Sequence, residues 1–307
     1  MLSPWIQILR LPNLFIVAWT QYVLHFQVCL PLFVQNNISP SLSPWAIILL
    51  ISMTVLSTAA GYIINDYYDV AIDKINKPDK VLIGSLISYR QAMIYYFALQ
   101  AAGLLIAAYL TYQTQLIGIL FLFLYAGISL FNYARILKRV YFAGNVVVAL
   151  LCALVPALIW YANSEPLWRL HKVMPTHTLY LMYVFLAYVG YSFFITLYRE
   201  IVKDMEDLQG DRLQGAKTLV VVSGIAKAKI AAMLCGFILL VGMAMWYVYT
   251  PLVPSGFVFG ALGLSAVALL LWTMLLLLKA NGKDDFTNIS RLLKLNMLLG
   301  LIILWFL

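Results

Sequence analysis

Nine uninterrupted apolar runs dominate this chain, at roughly 12–34, 43–65, 91–112, 115–134, 142–162, 178–198, 228–249, 253–278 and 291–307. A helix rises ~1.5 Å per residue, so about 20 apolar residues cross a ~30 Å hydrocarbon core. The hydrophobicity is continuous rather than alternating, which predicts helices and not the strands of a barrel. The last run is the shortest and opens on Arg291 and Lys294. Only 10% of the residues are charged and 64% are hydrophobic, where a soluble domain carries about 25% and 45–50%. Too little polar surface remains to face water on all sides, and the bilayer is the natural solvent. The expected fold class is all-α, a polytopic membrane protein of about nine transmembrane helices.

The net charge is +8, a balance that in a soluble domain can signal nucleic acid. Its placement excludes that reading. With the N-terminus cytoplasmic, eighteen of the twenty Lys and Arg fall in cytoplasmic segments, and only Arg169 and Lys172 fall outside. This is the positive-inside pattern. It predicts a multi-pass protein of the cell inner (plasma) membrane with a cytoplasmic N-terminus and an external C-terminus, and no nucleic-acid partner. Cys29, Cys152 and Cys235 lie in separate runs without ligand spacing and are expected to serve packing. The first run is too long for a signal-peptide core and is read as mature structure. No soluble domain or long linker interrupts the chain, so one transmembrane domain is expected over 1–307. Outside, the longest predicted loop is 163–177.

Two long cytoplasmic segments, 66–90 and 199–227, hold nine of the twelve acids. Asp66, Asp69 and Asp73 follow the spacing D-x-x-D-x-x-x-D, and so do Asp204, Asp207 and Asp211, 138 residues later. On a helix, positions i, i+3 and i+7 fall within about 60° of one another. Each triplet is therefore expected as one stripe of carboxylates at the cytoplasmic end of a span, the second and the sixth. Four spans separate the copies, which implies two diverged parallel repeats, each supplying one wall of a central cavity. Ordinary solvated loop charges would not produce two matched stripes, because like charges at this spacing repel by a few tenths of a kcal/mol per pair. A counter-cation offsets that repulsion. Carboxylate and amide oxygens without His or Cys suit Mg²⁺, which is commonly completed by substrate phosphates. Lys77 and Lys80 follow the first stripe, Lys138 and Arg139 close the fourth span, and Arg199, Lys203, Arg212 and Lys217 bracket the second stripe. A diphosphate site would draw on such cations.

The segment NDYYDVAIDKINKPDK resembles the first aspartate motif of the UbiA superfamily of intramembrane prenyltransferases, and KDMEDLQGDRLQGAKTL resembles the second. YARILKRVYFAGN, from Tyr133 to Asn145, is similar to a family segment after the fourth span. The resemblance covers essentially the whole chain. It implies that Asn65, Asp66, Asp69, Asp73, Asp204, Asp207 and Asp211 hold Mg²⁺ against a prenyl diphosphate. Asp66, Asp69, Asp204 and Asp207 would be catalytic. Lys77, Lys80, Lys138, Arg139, Asn145, Tyr198, Arg199 and Lys203 are the expected diphosphate contacts. Tyr133, Tyr191, Phe194 and Tyr198 are candidate neighbours of an allylic cation, although packing explains any single aromatic more simply. His25 is expected to be a buried, hydrogen-bonded residue rather than a base.

The second motif most resembles that of members prenylating a glycerol-phosphate ether lipid, so the implied partners are membrane lipids, a prenyl diphosphate and such a lipid. An aromatic acceptor of the quinone pathways is the alternative. After the first motif, where many members carry Arg-Pro-hydrophobic-Pro, this chain has Lys80, Val81, Leu82 and Ile83. A membrane ion transporter is the competing class. It would place charges near mid-span or invert its repeats, whereas these acids sit at span ends and repeat in parallel.

Overall fold

The computed structural model describes residues 3–76, 78–250 and 256–307. Among these residues thirteen α-helices follow in order: α1 (Pro4–Gln7), α2 (Leu11–Val23), α3 (Leu30–Gln35), α4 (Pro44–Asn76), α5 (Tyr89–Thr114), α6 (Gly118–Arg135), α7 (Ala143–Ala162), α8 (Ser164–Val173), α9 (Pro175–Glu206), α10 (Leu208–Leu213), α11 (Leu219–Tyr249), α12 (Phe257–Lys279) and α13 (Lys283–Trp305). A π-helical segment, Leu24–Cys29, joins α2 to α3, so Leu11–Gln35 forms one span. Among the described residues nine such segments are long and apolar enough to cross a bilayer, and no strand forms. Leu105, Ile230, Leu264 and Phe257 are more than two-thirds exposed, as expected where the surrounding solvent is lipid. This is an integral, multi-pass membrane protein.

Several helices outrun the apolar runs. α4 has 33 residues and α9 has 32, about 50 Å each, so both project a polar end beyond a ~30 Å core. α11 begins at Leu219, nine residues before the run at 228, and is interrupted at Gly224, whose φ of 81° lies where side-chain-bearing residues are strained. The segment expected as the loop 163–177 is instead largely α8. Leu167 and Leu170, three residues apart, are buried, and Arg169 pairs with Glu165 one turn back.

The chain divides into two compact units, and the division falls inside α2, α7 and α10. The first comprises residues up to Trp19, Leu42–Val147 and Gln209–Thr218. Within it α4 packs on α5 and α6, and Ser88 caps α5 in a capping box with Gln91. Ile8, Ile63, Ile64, Ile83, Ile87 and Tyr96 share one buried cluster, with Trp5 and Leu9 packed against it. The N-terminal segment and the 83–87 turn are thereby fastened to the C-terminal half of α4.

The second unit comprises Thr20–Ser41, Val148–Leu208 and Leu219–Leu307. Here α9 packs on α8, α11 and α13, and α12 on α13. Hydroxyls from α9 donate to the last helix: Tyr188 to the Gly300 carbonyl at 2.8 Å, and Tyr191 to Asn296 O and Oδ1 at 2.9 and 2.6 Å. Asn296 in turn donates to the Ala266 carbonyl of α12 at 2.8 Å. Helix pairs in lipid lack the water-driven hydrophobic term, so such interhelical bonds contribute to holding them. His25 is buried, with Asn163 Nδ2 3.2 Å from its Nδ1, as the sequence suggests. All three cysteines are free.

Candidate active site

The first acid stripe forms as its spacing requires. Asn65, Asp66, Asp69 and Asp73 lie on the last turns of α4, all half-buried. Asn65 Nδ2 donates to Asp69 Oδ2 at 2.7 Å. Lys138 Nζ forms an ion pair with Asp69 Oδ1 and lies 3.4 Å from Asn65 Oδ1. Arg10 Nη2 donates to Asp66 Oδ1 at 2.5 Å, and its guanidinium lies 5.0 Å from the centre of the Tyr62 ring. Two motif carboxylates are therefore each held by a cation of the chain itself. Burial pushes the Lys138 ammonium below its ordinary value, and Asp69 pulls it part of the way back.

The turn carrying Lys138 is fixed by close backbone approach. A Cβ at Gly144 would stand 2.7 Å from Lys138 Cα and 2.9 Å from the Leu137 carbonyl oxygen, so only glycine lets α7 start against the 137–139 turn. Arg139 is exposed, with Nη2 3.5 Å from the Tyr68 carbonyl. Its own carbonyl accepts from Lys217 N at 2.8 Å, which joins the 209–218 segment to this turn. Asn145 is buried in the first turn of α7. Lys77 and the Lys80 side chain lie outside the described residues.

The second stripe differs from expectation. Asp204 is on α9, but the helix ends at Glu206; Asp207 is its C-cap, with φ −95° and ψ 6°, and Asp211 lies on the separate α10. Asp207 also stands directly before Leu208, the first residue of α10, the N-terminal flanking position that aspartate favours. The triplet is therefore not one helical stripe. Asp211 is buried, with Thr218 Oγ1 3.5 Å from its Oδ2. On α9, Glu200 is buried and accepts from Arg199 Nη1 at 3.2 Å and Lys203 Nζ at 3.3 Å. Arg199 Nε is buried without a hydrogen-bond partner. Tyr198 is fully buried and faces Thr273 and Cys235 rather than this charge cluster. Tyr191 is committed to Asn296 and so serves packing.

Sequence reasoning assigned no role to Arg10 or Glu200. Arg10 could have been noticed as the one basic residue that precedes the first span, and Glu200 as an acid one turn before Asp204 that is spaced to meet Lys203.

Among the described residues no three His, Cys, Asp or Glu side chains stand close enough together to hold a metal ion. Geometry explains this: i to i+7 on one helix spreads a stripe over about 10 Å, too far for a single coordination shell. The donor set still fits Mg²⁺, because Asn65, Asp66 and Asp69 offer hard oxygens alone and leave positions for substrate oxygens. The excess negative charge is real, since the chain itself places Arg10 and Lys138 against it.

The family model for the UbiA prenyltransferase family matches residues 26–298. The digeranylgeranylglyceryl phosphate synthase of Sulfurisphaera tokodaii is 32% identical over 254 residues, covering 81% of each chain. A solved structure described as giving structural and mechanistic insights into the biosynthesis of digeranylgeranylglyceryl phosphate synthase in membranes superposes with a TM-score of 0.64 at 21% identity, covering 98% of this chain and 96% of that one. The UbiA homologue from Archaeoglobus fulgidus bound to GPP and Mg²⁺ gives 0.56 at 19% identity, covering 98% and 99%. The nine apolar spans among the described residues, an acid motif formed at the end of α4, and a family pattern matching residues 26–298 lead to one assignment: the chain is a membrane-embedded prenyltransferase and belongs to the UbiA prenyltransferase family.

Proposed function

We propose that the protein transfers a prenyl chain from a prenyl diphosphate to a glycerol-phosphate ether lipid of the geranylgeranylglycerol phosphate class, with Mg²⁺ as cofactor. The observation that carries this reading is the first motif, an oxygen cluster in excess negative charge at the polar end of an apolar span. The likeness to digeranylgeranylglyceryl phosphate synthases supports the acceptor class, and the Mg²⁺ and GPP of the A. fulgidus homologue support the cofactor and donor.

Asn65, Asp66, Asp69, Asp73, Asp204, Asp207 and Asp211 would hold Mg²⁺ together with the diphosphate oxygens, the residues divided over more than one ion because neither motif is compact enough to close a shell by itself. When bound, Mg²⁺ offsets charge that develops on the leaving diphosphate. Lys138, Arg139, Arg199 and Lys203 would meet the same charge, joined by Lys77, Lys80 and Asn145 but not by Tyr198, which is turned to Thr273 and Cys235; cations fixed in a site of low polarity stabilise such charge more than water does. Asp69 and Asn65 orient Lys138, and Glu200 orients Arg199 and Lys203. The prenyl C1–O bond breaks, pyrophosphate leaves with the electron pair, and an acceptor hydroxyl oxygen forms the new bond to C1 and loses its proton. Apolar helix surfaces accommodate the tail and exclude water that would quench an allylic cation. The N-terminus and the acid motifs lie on the cytoplasmic side of the plasma membrane, supported by the lysine and arginine asymmetry, and the chain acts as one domain over 1–307.

The test incubates purified protein in lipid nanodiscs with Mg²⁺, labelled geranylgeranyl diphosphate, and either geranylgeranylglycerol phosphate or aromatic quinone precursors. Label is expected in the ether lipid. Transfer only to an aromatic compound would overturn the acceptor, and no transfer to any acceptor would overturn the activity.

A further inference from the structure

Arg10 is held in place by several independent features. Its φ is +53°, a left-handed conformation that is uncommon for a residue with a side chain and is retained where surroundings impose it. Its carbonyl accepts from Asn13 N at 2.8 Å, so Arg10 opens α2. Just before it, buried Ile8 and the packed Trp5 and Leu9 dock on the cluster that contains Ile63 and Ile64. Ile63 is one turn from Asp66 on the same helix. The docked segment thus delivers the guanidinium to Asp66 Oδ1 at 2.5 Å and to the face of Tyr62. Its side chain is nevertheless 41% exposed, so it can leave Asp66 for another anion without disturbing the apolar anchor.

A guanidinium and a divalent cation repel one another and compete for one carboxylate. A metal arriving alone must displace Arg10, and the other carboxylates that act on the guanidinium, Asp69 and Asp73, are the same groups that attract the metal. A metal arriving with a diphosphate brings an anion that can pair with the guanidinium bidentately. From this geometry we infer that Arg10 is the resting counter-cation of the first motif, yielding Asp66 to a metal–diphosphate but resisting the metal alone, and so coupling the binding of the two. It is a positioning residue contributed by the segment before the first span. The inference rests on the reading of Asp66 as a metal ligand.

The experiment titrates Mn²⁺ into the full-length protein in nanodiscs, followed by electron paramagnetic resonance, with and without inorganic pyrophosphate. It compares the wild type with R10Q, R10K and D66N. Without pyrophosphate, R10Q is expected to bind Mn²⁺ about fivefold more tightly than wild type, the scale of a partly exposed ion pair. R10K, which keeps the charge but not the fork, falls between them and carries the test alone if R10Q does not fold. Pyrophosphate should tighten Mn²⁺ binding more in the wild type than in either variant. Equal or weaker Mn²⁺ binding in R10Q and R10K, with D66N clearly weaker than wild type, refutes the inference and leaves the metal reading standing. Mn²⁺ binding that does not change in D66N refutes the metal reading and the inference with it.

Discussion

Replacing Asp66 by Asn keeps the size and much of the hydrogen bonding of the side chain and removes one charge. Its effects on folding and on turnover should separate. Asp66 is 19% exposed and its partner Arg10 41%, and ion pairs open to solvent in this way are worth about 0–1 kcal/mol. Arg10 keeps its contact with Tyr62 and its apolar anchor, so the melting temperature should barely move. Turnover should fall much further. Removing one preorganised charge from a site that stabilises a leaving group commonly costs about 3–4 kcal/mol, or roughly 10²–10³ in rate. The assay measures release of labelled pyrophosphate under saturating Mg²⁺, beside thermal unfolding of the same preparation. Glu206→Gln is the internal control: two residues beyond Asp204, it points about 200° away around α9 and should lose far less activity. Equal losses at Asp66 and Glu206, or a tenfold or smaller loss in D66N with folding intact, would refute the assignment of the first motif to the reacting diphosphate.

Three further outcomes follow from the same geometry. Chelation with EDTA should abolish turnover and added Mg²⁺ should restore it; activity that persists in EDTA would exclude a required metal. Gly144→Ala places a Cβ 2.7 Å from Lys138 Cα, and because the obstacle is backbone the turn must shift, at a cost of about 1–3 kcal/mol. Turnover should drop at least tenfold as Lys138 leaves Asp69, and unchanged kinetics would show that the turn does not position the lysine. Tyr191→Phe removes the hydroxyl bonded to Asn296 O and Oδ1 and should destabilise the protein by about 0.6–1.7 kcal/mol while leaving KM for the prenyl diphosphate unchanged. A shift in KM without a loss of stability would place Tyr191 at the substrate instead.

Most of the fold was legible because the bilayer imposes a length and a polarity that single residues report independently of one another. Every predicted run lies largely within a span. Span ends were less legible, since α4 continues eleven residues past the run that ended at 65; hydrophobicity marks where lipid stops, not where the backbone ladder stops. α8 was missed for the converse reason. Its buried face is only Pro166, Leu167 and Leu170, too few apolar residues to stand out among charged neighbours. The use of Tyr191 and Asn296 as an interhelical bond was illegible, because in a chain this rich in tyrosine nothing local distinguishes a hydroxyl that meets a carbonyl 105 residues away.

The two acid motifs show where a shared spacing stops determining shape. Both read D-x-x-D-x-x-x-D, and the first obeys the helical rule because the chain from Asp66 to Asn76 offers the helix no strong reason to stop. In the second, glycine at 210 and 215 and leucine at 208 and 213 surround the acids. The chain there relieves one helix at Asp207 and begins another, with Gly215 in the left-handed region at φ 68°. The consequence is chemical as well as geometric. A carboxylate on an unbroken helix face is aimed by the whole helix, and here α4 is clamped by the isoleucine cluster and the Lys138 turn. A carboxylate at a helix junction is aimed by a few backbone dihedrals and the bonds of the next turn, such as Ala216 N to the Asp211 carbonyl at 2.9 Å. The charge pattern therefore identifies both motifs equally well, while the orientation of their oxygens is inherited from α4 in one case and from local turn chemistry in the other.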